Sequence, residues 1–460
     1  MTPDRSLAGS GQAMFELIAE LYPICRSITG EGIRETLRRL RALVPLTLHE
    51  VPSGTRVLDW TIPREWNIRD AWVANAAGER VIDFRRHNLH VVSYSVPVSR
   101  RMTLAELRPH LHTLPEHPDW IPYRTSYYAE SWGFCLAQRD LDALPDGEYE
   151  VHIDSSLEPG RLTYGELVLA GELDQEILIS CHCCHPSLAN DNLSGVAVAV
   201  WLARRLAERP RRHRIRFLFI PGTIGSIAWL ALHPEEAKRI RHGLVLSCLG
   251  DEGPSSYKRS RQGDALVDRA AEHVLRTAGP SAISEFVPYG YDERQYCSPG
   301  FDLAVGCLTR TPNGAFPQYH TSADNLDFIR PQALEDSLDK ALAIVEILEV
   351  NASYLNLSPR GEPQLGRRGL YHATGGEAIP RDSQMALLWV LSFSDGRHSL
   401  LDIAQRAGLP FSIIREAATA LERTGLLRPI SGTESADFVP PRLDATAAAE
   451  AARTPSGGSG

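Results

Sequence analysis

The sequence predicts an α/β protein built on a mostly parallel sheet that helices cover on both faces. From about residue 160 onward, short apolar segments alternate with helical patterns. The apolar segments are 177–180, 215–220 and 244–248, and the helical patterns are 193–208, 228–232 and 333–349. Alternation of this kind favours parallel strands covered by helices, and the last helix is long enough to close the unit.

Two further regions precede this alternation. Residues 11–43 carry apolar side chains at helical spacing on either side of a polar turn at 26–32. Residues 45–155 contain short β-like runs, at 57–62, 71–74 and 89–94, separated by Pro and Gly turns. This second region predicts a β-rich module placed before the main sheet.

The C-terminal part predicts a small helical domain. Three helical stretches, at 384–391, 400–407 and 412–424, are followed by Gly425 and a short apolar run, which suggests a winged helix-turn-helix. We divide the chain into an α/β domain (1–50 and 155–356), an inserted β-rich domain (51–154), a linker (357–382), a winged-helix domain (383–432) and a disordered tail (433–460).

Composition narrows the class of function. The 460 residues carry a net charge of -9, which argues against a large nucleic-acid or anionic-membrane surface. The sequence offers no membrane-spanning stretch and no signal peptide at its start, so we expect a cytoplasmic protein. The eight cysteines are scattered rather than arranged as a disulfide framework, and we expect reduced, mostly buried thiols.

One motif carries the chemistry. A buried strand ends at His182, His185 follows in a short loop, and Asp191 stands at the start of the next helix. His320 lies in a distant loop, with Thr321 and Asp324 able to orient it. Imidazole and carboxylate at the carboxyl edge of a sheet suit zinc, so we predict a shared metal site.

Two questions about this site stay open at this point. The sequence does not decide between His182 and His185 as the metal-facing residue, since Pro186 could make His185 a turn residue. A rival interpretation is a small Cys/His metal knot built on Cys181, Cys183 and Cys184, although no second Cys pair supplies its partner.

Longer phrases resemble a known group of proteins. They are RSITG (26–30), DWTIP (59–63), HPSLANDN (185–192), DERQY (292–296) and YHTSADN (319–325). Over residues 15–430 the chain resembles bacterial aminopeptidase-like domain proteins with an inserted β domain and a C-terminal winged helix. Their fold is that of zinc aminopeptidases and glutaminyl cyclases. The resemblance also implies a setting in polysaccharide or natural-product biosynthesis.

The resemblance implies roles for individual residues. His182 matches the first zinc-binding histidine, Asp191 the bridging aspartate and His320 the last histidine ligand. Two expected carboxylates are missing, because Gly222 stands where a glutamate base is expected and Cys248 where a ligand aspartate is expected. A single zinc ion is therefore the expected cofactor, and simple hydrolysis lacks its usual base.

Another acid could replace the missing glutamate. We predict Glu293 as the base and Asp292 as a metal ligand or anchor for a substrate amine. Asp251 and Glu252, after the third strand, are the alternative pair. A loop salt bridge between Asp292 and Arg294 is the simplest competing explanation.

Candidate substrate contacts come from polar and aromatic surroundings. Arg26, Arg124 and Arg294 could each hold a substrate carboxylate, and Tyr296 is a further candidate contact beside Arg294. Structural pairing with an acid is the commoner role of such arginines. Lys258 and Arg261 form a basic cluster that suits either an anionic group or a solvated loop.

The expected function is that of a zinc-dependent aminopeptidase-like enzyme acting on an amide or aminoacyl bond of a small peptide or biosynthetic intermediate. The alternative is a non-catalytic protein of this fold that binds a peptide or carrier-linked ligand. A DNA-binding regulator is disfavoured, because Arg415 and Arg423 are balanced by Glu416 and Glu422 on the would-be recognition helix. That helix better suits a protein or peptide partner, and the sequence is also compatible with a homo-oligomer.

Overall fold

The computed structural model describes residues 9–370 and 381–430. The chain forms two compact units, Met1–Val350 and Asn351–Gly460. The predicted tail at 433–460 and residues 371–380 of the predicted linker lie outside the described residues. The division of the first unit into an α/β domain and an insertion stays a prediction.

The strands and helices follow in chain order. The strands are β1 (Thr47–Pro52), β2 (Arg56–Val57), β3 (Trp60–Thr61), β4 (Glu65–Ala74), β5 (Arg80–Asp83), β6 (Val98–Thr103), β7 (Leu111–His112), β8 (Phe134–Cys135), β9 (Glu148–Glu158), β10 (Arg161–Leu169), β11 (Glu176–His182), β12 (Arg214–Ile220), β13 (Ile240–Leu246), β14 (Ser255–Lys258), β15 (Ser281–Ser284), β16 (Val305–Thr309), β17 (Ser353–Asn356), β18 (Asp395–Ser399) and β19 (Leu427–Pro429). The helices are α1 (Ser10–Leu21), α2 (Glu31–Arg41), α3 (Leu104–Leu107), α4 (Gln138–Asp142), α5 (Gly195–Ala207), α6 (Ile224–Leu232), α7 (Pro234–Ala237), α8 (Leu266–Ala278), α9 (Glu293–Tyr296), α10 (Pro331–Val350), α11 (Arg381–Phe393), α12 (Leu400–Ala407) and α13 (Phe411–Arg423).

An eight-stranded sheet forms the centre of the first unit, in the order β1-β10-β12-β11-β13-β16-β14-β15. The central strands β12, β11, β13 and β16 are parallel, while β1 and β10 add antiparallel strands at one side. Every residue of β11 is buried, as expected for a strand covered on both faces. The prediction of a mostly parallel sheet between helices is confirmed.

Apolar helices flank this sheet. α5 buries nine of its residues, and α10 packs against α1, α5 and α8. α2 is amphipathic and turns Ile33, Leu37 and Leu40 inward, with charged side chains outward. The two N-terminal helices therefore have the positions along the chain that the apolar spacing predicts.

A four-stranded antiparallel sheet, in the order β5-β4-β9-β6, occupies the β-rich region. The predicted strand at 57–62 is a short hairpin of β2 and β3. The predicted strand at 89–94 is wrong. Residues Asn88–His90 form a 3-10 turn that His87 caps, and Val91 and Ser93 make only isolated bridges.

The second unit has the elements of a winged helix-turn-helix. Helices α11, α12 and α13 accompany a three-stranded sheet in the order β18-β17-β19. Ser399 caps α12 by accepting a hydrogen bond from the Asp402 amide, and Gly408 ends it in a left-handed conformation. The sequence assigned residues up to 356 to the α/β domain, whereas β17 is the central strand of this second sheet.

Among residues 9–370 and 381–430, no helix is both long and apolar enough to cross a membrane.

Candidate metal centre

The predicted metal residues begin at the carboxyl edge of the parallel sheet. β11 ends at His182, and its neighbours β12 and β13 end shortly before Gly222 and Cys248. Because parallel strands present their carboxyl ends to one edge, these three positions face a common space. Asp191 follows in the turn that leads into α5.

Three histidines converge on the carboxylate of Asp191. His182 Nε2 lies 2.8 Å from Oδ1, while His185 Nδ1 and His320 Nε2 lie 3.1 Å and 3.0 Å from Oδ2. One potential ligand atom from each of His182, His185 and Asp191 lies within 4.8 Å of the others, and all three residues are buried. The structure thus places His182, His185 and His320 against Asp191, although His320 is not part of the group of three whose ligand atoms are all mutually close.

Burial and mutual charge set the protonation of this group. Burial lowers the pKa of His182 to about 4, despite its hydrogen bond with Asp191. Burial also acts to raise the pKa of Asp191, but the charge of His185 and the contacts with all three histidines outweigh it and hold that pKa well below its usual range. A neutral His182 and an ionised Asp191 are the forms that bind a metal.

The donor set fits a metal ion. Asp191 Oδ2 and His320 Nε2 are both buried and have no hydrogen-bond partner among the described residues, although they lie 3.0 Å apart. Two ligands held about 2 Å from a tetrahedral zinc are separated by roughly 3.3 Å. The spacing around Asp191 therefore suits an ion shared between nitrogen and oxygen donors.

Asp324 supports the carboxylate rather than the distant histidine. Its two oxygens accept hydrogen bonds from the backbone amides of Asn190 and Asp191, at 2.6 Å and 2.9 Å. The expectation that Asp324 orients His320 is therefore wrong. The Asn190 amide group in turn donates to Asp251, which also accepts from Thr311, so Asp251 belongs to the same supporting layer.

Tyr291 occupies the space that a side chain at position 222 would need. A Cβ atom built on Gly222 would stand 2.0 Å from Tyr291 Cε1. The hydroxyl of Tyr291 is 3.1 Å from His185 Nε2, and its ring centroid is 4.0 Å from that of His182. A tyrosine from another loop thus fills the place next to the histidines where the fold relatives are expected to carry a glutamate.

The cysteines do not contribute to the metal group. In the part of the chain that the structure describes, the group that could hold a metal contains only His and Asp. Burial raises the pKa of Cys181, Cys183, Cys184 and Cys248, which keeps the thiols protonated and poor as ligands. The contacts therefore do not support the Cys/His knot, and Cys248 donates instead to Asn313 Oδ1.

A cavity of about 490 Å³ opens onto this group. His185 and His320 lie in its wall, and seven aromatic side chains surround them. These are Trp60, Tyr123, Tyr127, Tyr128, Tyr289, Tyr291 and Tyr319. The β-rich region supplies the wall residues from Trp60 to Tyr128. It is tied to the histidine loop by a hydrogen bond of 2.8 Å from the Tyr123 amide to the His320 carbonyl. A cavity of this size suits a small molecule or a short peptide end.

The predicted catalytic acids lie outside the cavity lining. Glu293 is buried in an ion pair with Lys258, and it accepts the Tyr291 amide. Asp292 is buried and accepts a hydrogen bond of 2.8 Å from Ser226. These contacts give no support to Glu293 as a base or to Asp292 as a metal ligand. The competing Asp292–Arg294 salt bridge is likewise absent from the described residues.

The predicted substrate contacts divide into two pairs. Arg124 and Arg294 line the cavity. Arg26 is fully buried and donates to the carbonyls of Leu21 and His185, so it holds the histidine loop and does not face a ligand. Tyr296 is also fully buried, and its hydroxyl contacts Ser180. Both departures share one cause, since the polar and aromatic neighbours that suggested a binding surface are themselves packed in the interior.

The predicted basic cluster is neutralised. Lys258 pairs with Glu293 and Arg261 with Asp302. Sequence reasoning also missed the aromatic wall as a feature of the site. Tyrosine clusters at 123–128 and 289–291 were visible, but no spacing rule indicates that they meet around His185.

The fold and this site define a protein of the zinc-aminopeptidase fold. A zinc aminopeptidase from Bacillus subtilis superposes with a TM-score of 0.54 at 15% identity, covering 75% of this chain and 96% of that one. At this identity the likeness establishes the fold alone.

The chain belongs to the family described as "Domain of unknown function (DUF4910)", which matches residues 15–351. Residues 352–429 match a winged helix-turn-helix family. A Clostridium acetobutylicum protein called "putative polysaccharide biosynthesis protein with aminopeptidase-like domain" is 52% identical over 91% of this chain and 96% of its own length. A crystal structure of a "putative peptidase" from that organism gives a TM-score of 0.87 at 50% identity, covering 92% of this chain and 97% of that one.

Proposed function

We propose that this protein is a zinc-dependent enzyme of the aminopeptidase fold that acts on an amide or aminoacyl bond of a small peptide or biosynthetic intermediate. The observation that carries the proposal is the convergence of three histidines on Asp191 beside a cavity of about 490 Å³. The biosynthetic setting rests on the name of the Clostridium relative.

One ion would be held by Asp191 and two of the three histidines that meet it, His182, His185 and His320, which would leave one position of a tetrahedral zinc open. Bound zinc supplies a Lewis acid that polarises a carbonyl oxygen or lowers the pKa of a bound water. Asp324 fixes the backbone at Asn190 and Asp191 by accepting one amide hydrogen bond from each, so the Asp191 carboxylate stays oriented before any ligand enters.

The residues around the centre favour acyl transfer or cyclisation over hydrolysis. No Asp or Glu lines the cavity among the residues described, so a water molecule there has no carboxylate to accept its proton. Burial raises the pKa of Tyr291 well above its usual range, so this hydroxyl stays protonated and can donate a hydrogen bond. The nucleophile would be a group of the substrate or of a second acceptor molecule, which would bond to the carbonyl carbon as the C–N bond breaks and pass its proton to the departing amine.

The second candidate function is a ligand-binding protein without turnover. The observation that favours it is the same absence of an acidic base, together with Gly222 and Cys248 at the two positions where carboxylates are expected. Zinc content alone does not distinguish a binding protein from an enzyme, so activity must be measured as well.

The test begins with elemental analysis of the purified protein and of the Asp191→Ala/His320→Ala variant. The proposal predicts about one zinc per chain in the wild type and a loss of zinc in the variant. His117→Ala, which removes a histidine outside the group, is the matched control and should keep its zinc.

Turnover is then screened on a panel of small amides before chelation, after chelation and after zinc is restored. Stoichiometric zinc with zinc-dependent turnover supports the enzyme. Zinc without turnover across the panel favours the binding protein. A folded wild type that takes up no zinc contradicts both the metal assignment and the enzyme.

A further inference from the structure

The cavity beside the metal group is cationic and aromatic. Its wall contains Arg124 and Arg294 and, among the described residues, no carboxylate. Both histidines that reach the wall, His185 and His320, belong to the metal group. Any charged group on a ligand therefore meets guanidinium groups and tyrosine rings before it meets an acid.

Neither arginine is held in a salt bridge among the described residues, although the charge of Arg294 acts to lower the pKa of Asp292 and Arg124 is exposed to solvent. In the described part of the chain, the side chains of Arg124 and Arg294 form no ion pair and no hydrogen bond, and Arg294 Nε is buried without a partner. Glu293 pairs with Lys258, whereas Asp292 accepts from Ser226 through Oδ1 and keeps a buried Oδ2 without a hydrogen-bond partner among the described residues. A buried donor without a partner is costly, so this position favours a ligand that brings an acceptor.

An aminopeptidase substrate presents a free ammonium group, and such a group needs an acidic partner when it leaves water. This cavity offers none. We infer that the protein recognises the acidic end of its substrate, with Arg124 and Arg294 holding a carboxylate while the amide bond faces the histidines. The inference rests on the proposed function and gives its substrate class, which is an N-acylated amino acid or a related amide that carries a free carboxylate.

The rest of the wall fits such a ligand. A guanidinium group binds a carboxylate through two parallel hydrogen bonds, which fixes the orientation of the bound molecule. Tyr128 packs against Trp60 with ring centroids 5.2 Å apart, and the rings of Tyr123 and His320 are nearly perpendicular with centroids 5.1 Å apart. These rings can pack on the planar or apolar part of the ligand beside its carboxylate.

The test compares three ligands of matched size by calorimetry on the full chain. N-acetyl-L-tyrosine carries a carboxylate, N-acetyl-L-tyrosine amide is neutral, and L-tyrosine amide carries a free ammonium group. A free carboxylate is also a zinc ligand, so the titrations use chelator-treated protein whose folding is checked by circular dichroism. We expect N-acetyl-L-tyrosine to bind at least 10-fold more tightly than either amide.

The variants Arg294→Gln and Arg124→Gln should each reduce this preference by 3-fold or more. Arg139→Gln, an exposed arginine paired with Asp119, is the matched control and should leave it unchanged. An unchanged preference in both cavity variants, or tightest binding of L-tyrosine amide, overturns the inference. Phenyl phosphate is titrated as a fourth ligand. If it binds more tightly than N-acetyl-L-tyrosine, the assignment of a carboxylate ligand is also overturned.

Because the titrations are made without metal, they are independent of the proposed activity. A carboxylate preference in a protein that takes up no zinc would support the inferred ligand class and contradict the proposed enzyme. Zinc-dependent turnover with a preference for the free amine would support the proposed enzyme and contradict the inferred ligand class.

Discussion

The ring of Tyr291 stands where a side chain on Gly222 would have to go, with 2.0 Å between Tyr291 Cε1 and a Cβ atom built on residue 222. The two positions come from different loops, one after β12 and one before α9. Gly222 is thus in close steric contact with a tyrosine that also contacts His185. Residue 222 must stay small for as long as Tyr291 holds this place.

Gly222→Ala should destabilise the protein by about 1–3 kcal/mol, because its methyl group overlaps the Tyr291 ring. The free energy of unfolding from urea titrations measures the loss. The same change should cost less in a Tyr291→Ala background, since the obstructing ring is gone. Gly147→Ala, at a glycine with open space around it, is the control. Equal costs for Gly222→Ala in the two backgrounds would contradict the coupling.

Asp292 should make the protein less stable as the pH rises from about 4 to about 7. Burial raises the pKa of this carboxyl to about 7, against the hydrogen bond from Ser226. Across that window the native state keeps a proton that the unfolded chain releases, so the contribution of Asp292 to stability falls as the pH rises.

The Asp292→Asn variant lacks this titration. Its Tm, measured by calorimetry from pH 5 to pH 8, should rise relative to the wild type as the pH increases. Asp174→Asn, at an exposed carboxylate, controls for the loss of one charge. Parallel Tm curves for Asp292→Asn and the wild type would count against the buried, protonated state.

Arg216→Met should cost about 3–5 kcal/mol in the free energy of unfolding. Arg216 lies on β12 and pairs with Glu176 at 2.7 Å and with Glu166, and Glu176 is fully buried. Removal of the guanidinium takes away the nearer partner of that carboxylate and leaves only Arg214, whose Nη1 is 3.7 Å from Glu176 Oε1. Chemical denaturation measures the effect.

The exposed pair of Arg69 with Asp154 provides the comparison, because Arg69→Met should cost no more than about 1 kcal/mol. Adding Glu176→Gln to Arg216→Met should restore part of the lost stability, because it removes the buried negative charge that has lost its nearer partner. Failure of that second change to help would argue that packing, rather than charge, explains the cost.

The winged-helix unit should not bind duplex DNA in the manner of a regulator. α13 carries Arg415 and Arg423 with Glu416 and Glu422, so it offers no surplus of positive charge to phosphate. Fluorescence anisotropy with a labelled duplex should show no saturable binding below roughly 10 µM at physiological salt. Tight binding that weakens steeply between 50 and 200 mM salt would revive the regulator hypothesis.

The sequence predicted the central sheet and the core of the metal group for a local reason. Apolar periodicity belongs to short segments, so the strand that ends at His182 and the helix after Asp191 could be identified from their own residues. The turn between them is short enough to bring the two side chains together. The prediction of a strand at 89–94 was wrong because this segment is irregular but largely buried. Its apolar side chains give the same sequence pattern as a buried strand.

The sequence by itself predicted the α/β class, the winged helix and a metal site at Asp191 with three candidate histidines, without deciding between His182 and His185. Only the tertiary structure decided that Arg26 and Tyr296 are enclosed, that Glu293 is neutralised by Lys258, and that Arg124 and Arg294 face a cavity. Pairing and burial of this kind depend on loops that are far apart in the chain and are packed by the whole core. A local pattern of residues does not predict which side chains will contact a loop that is distant in the sequence.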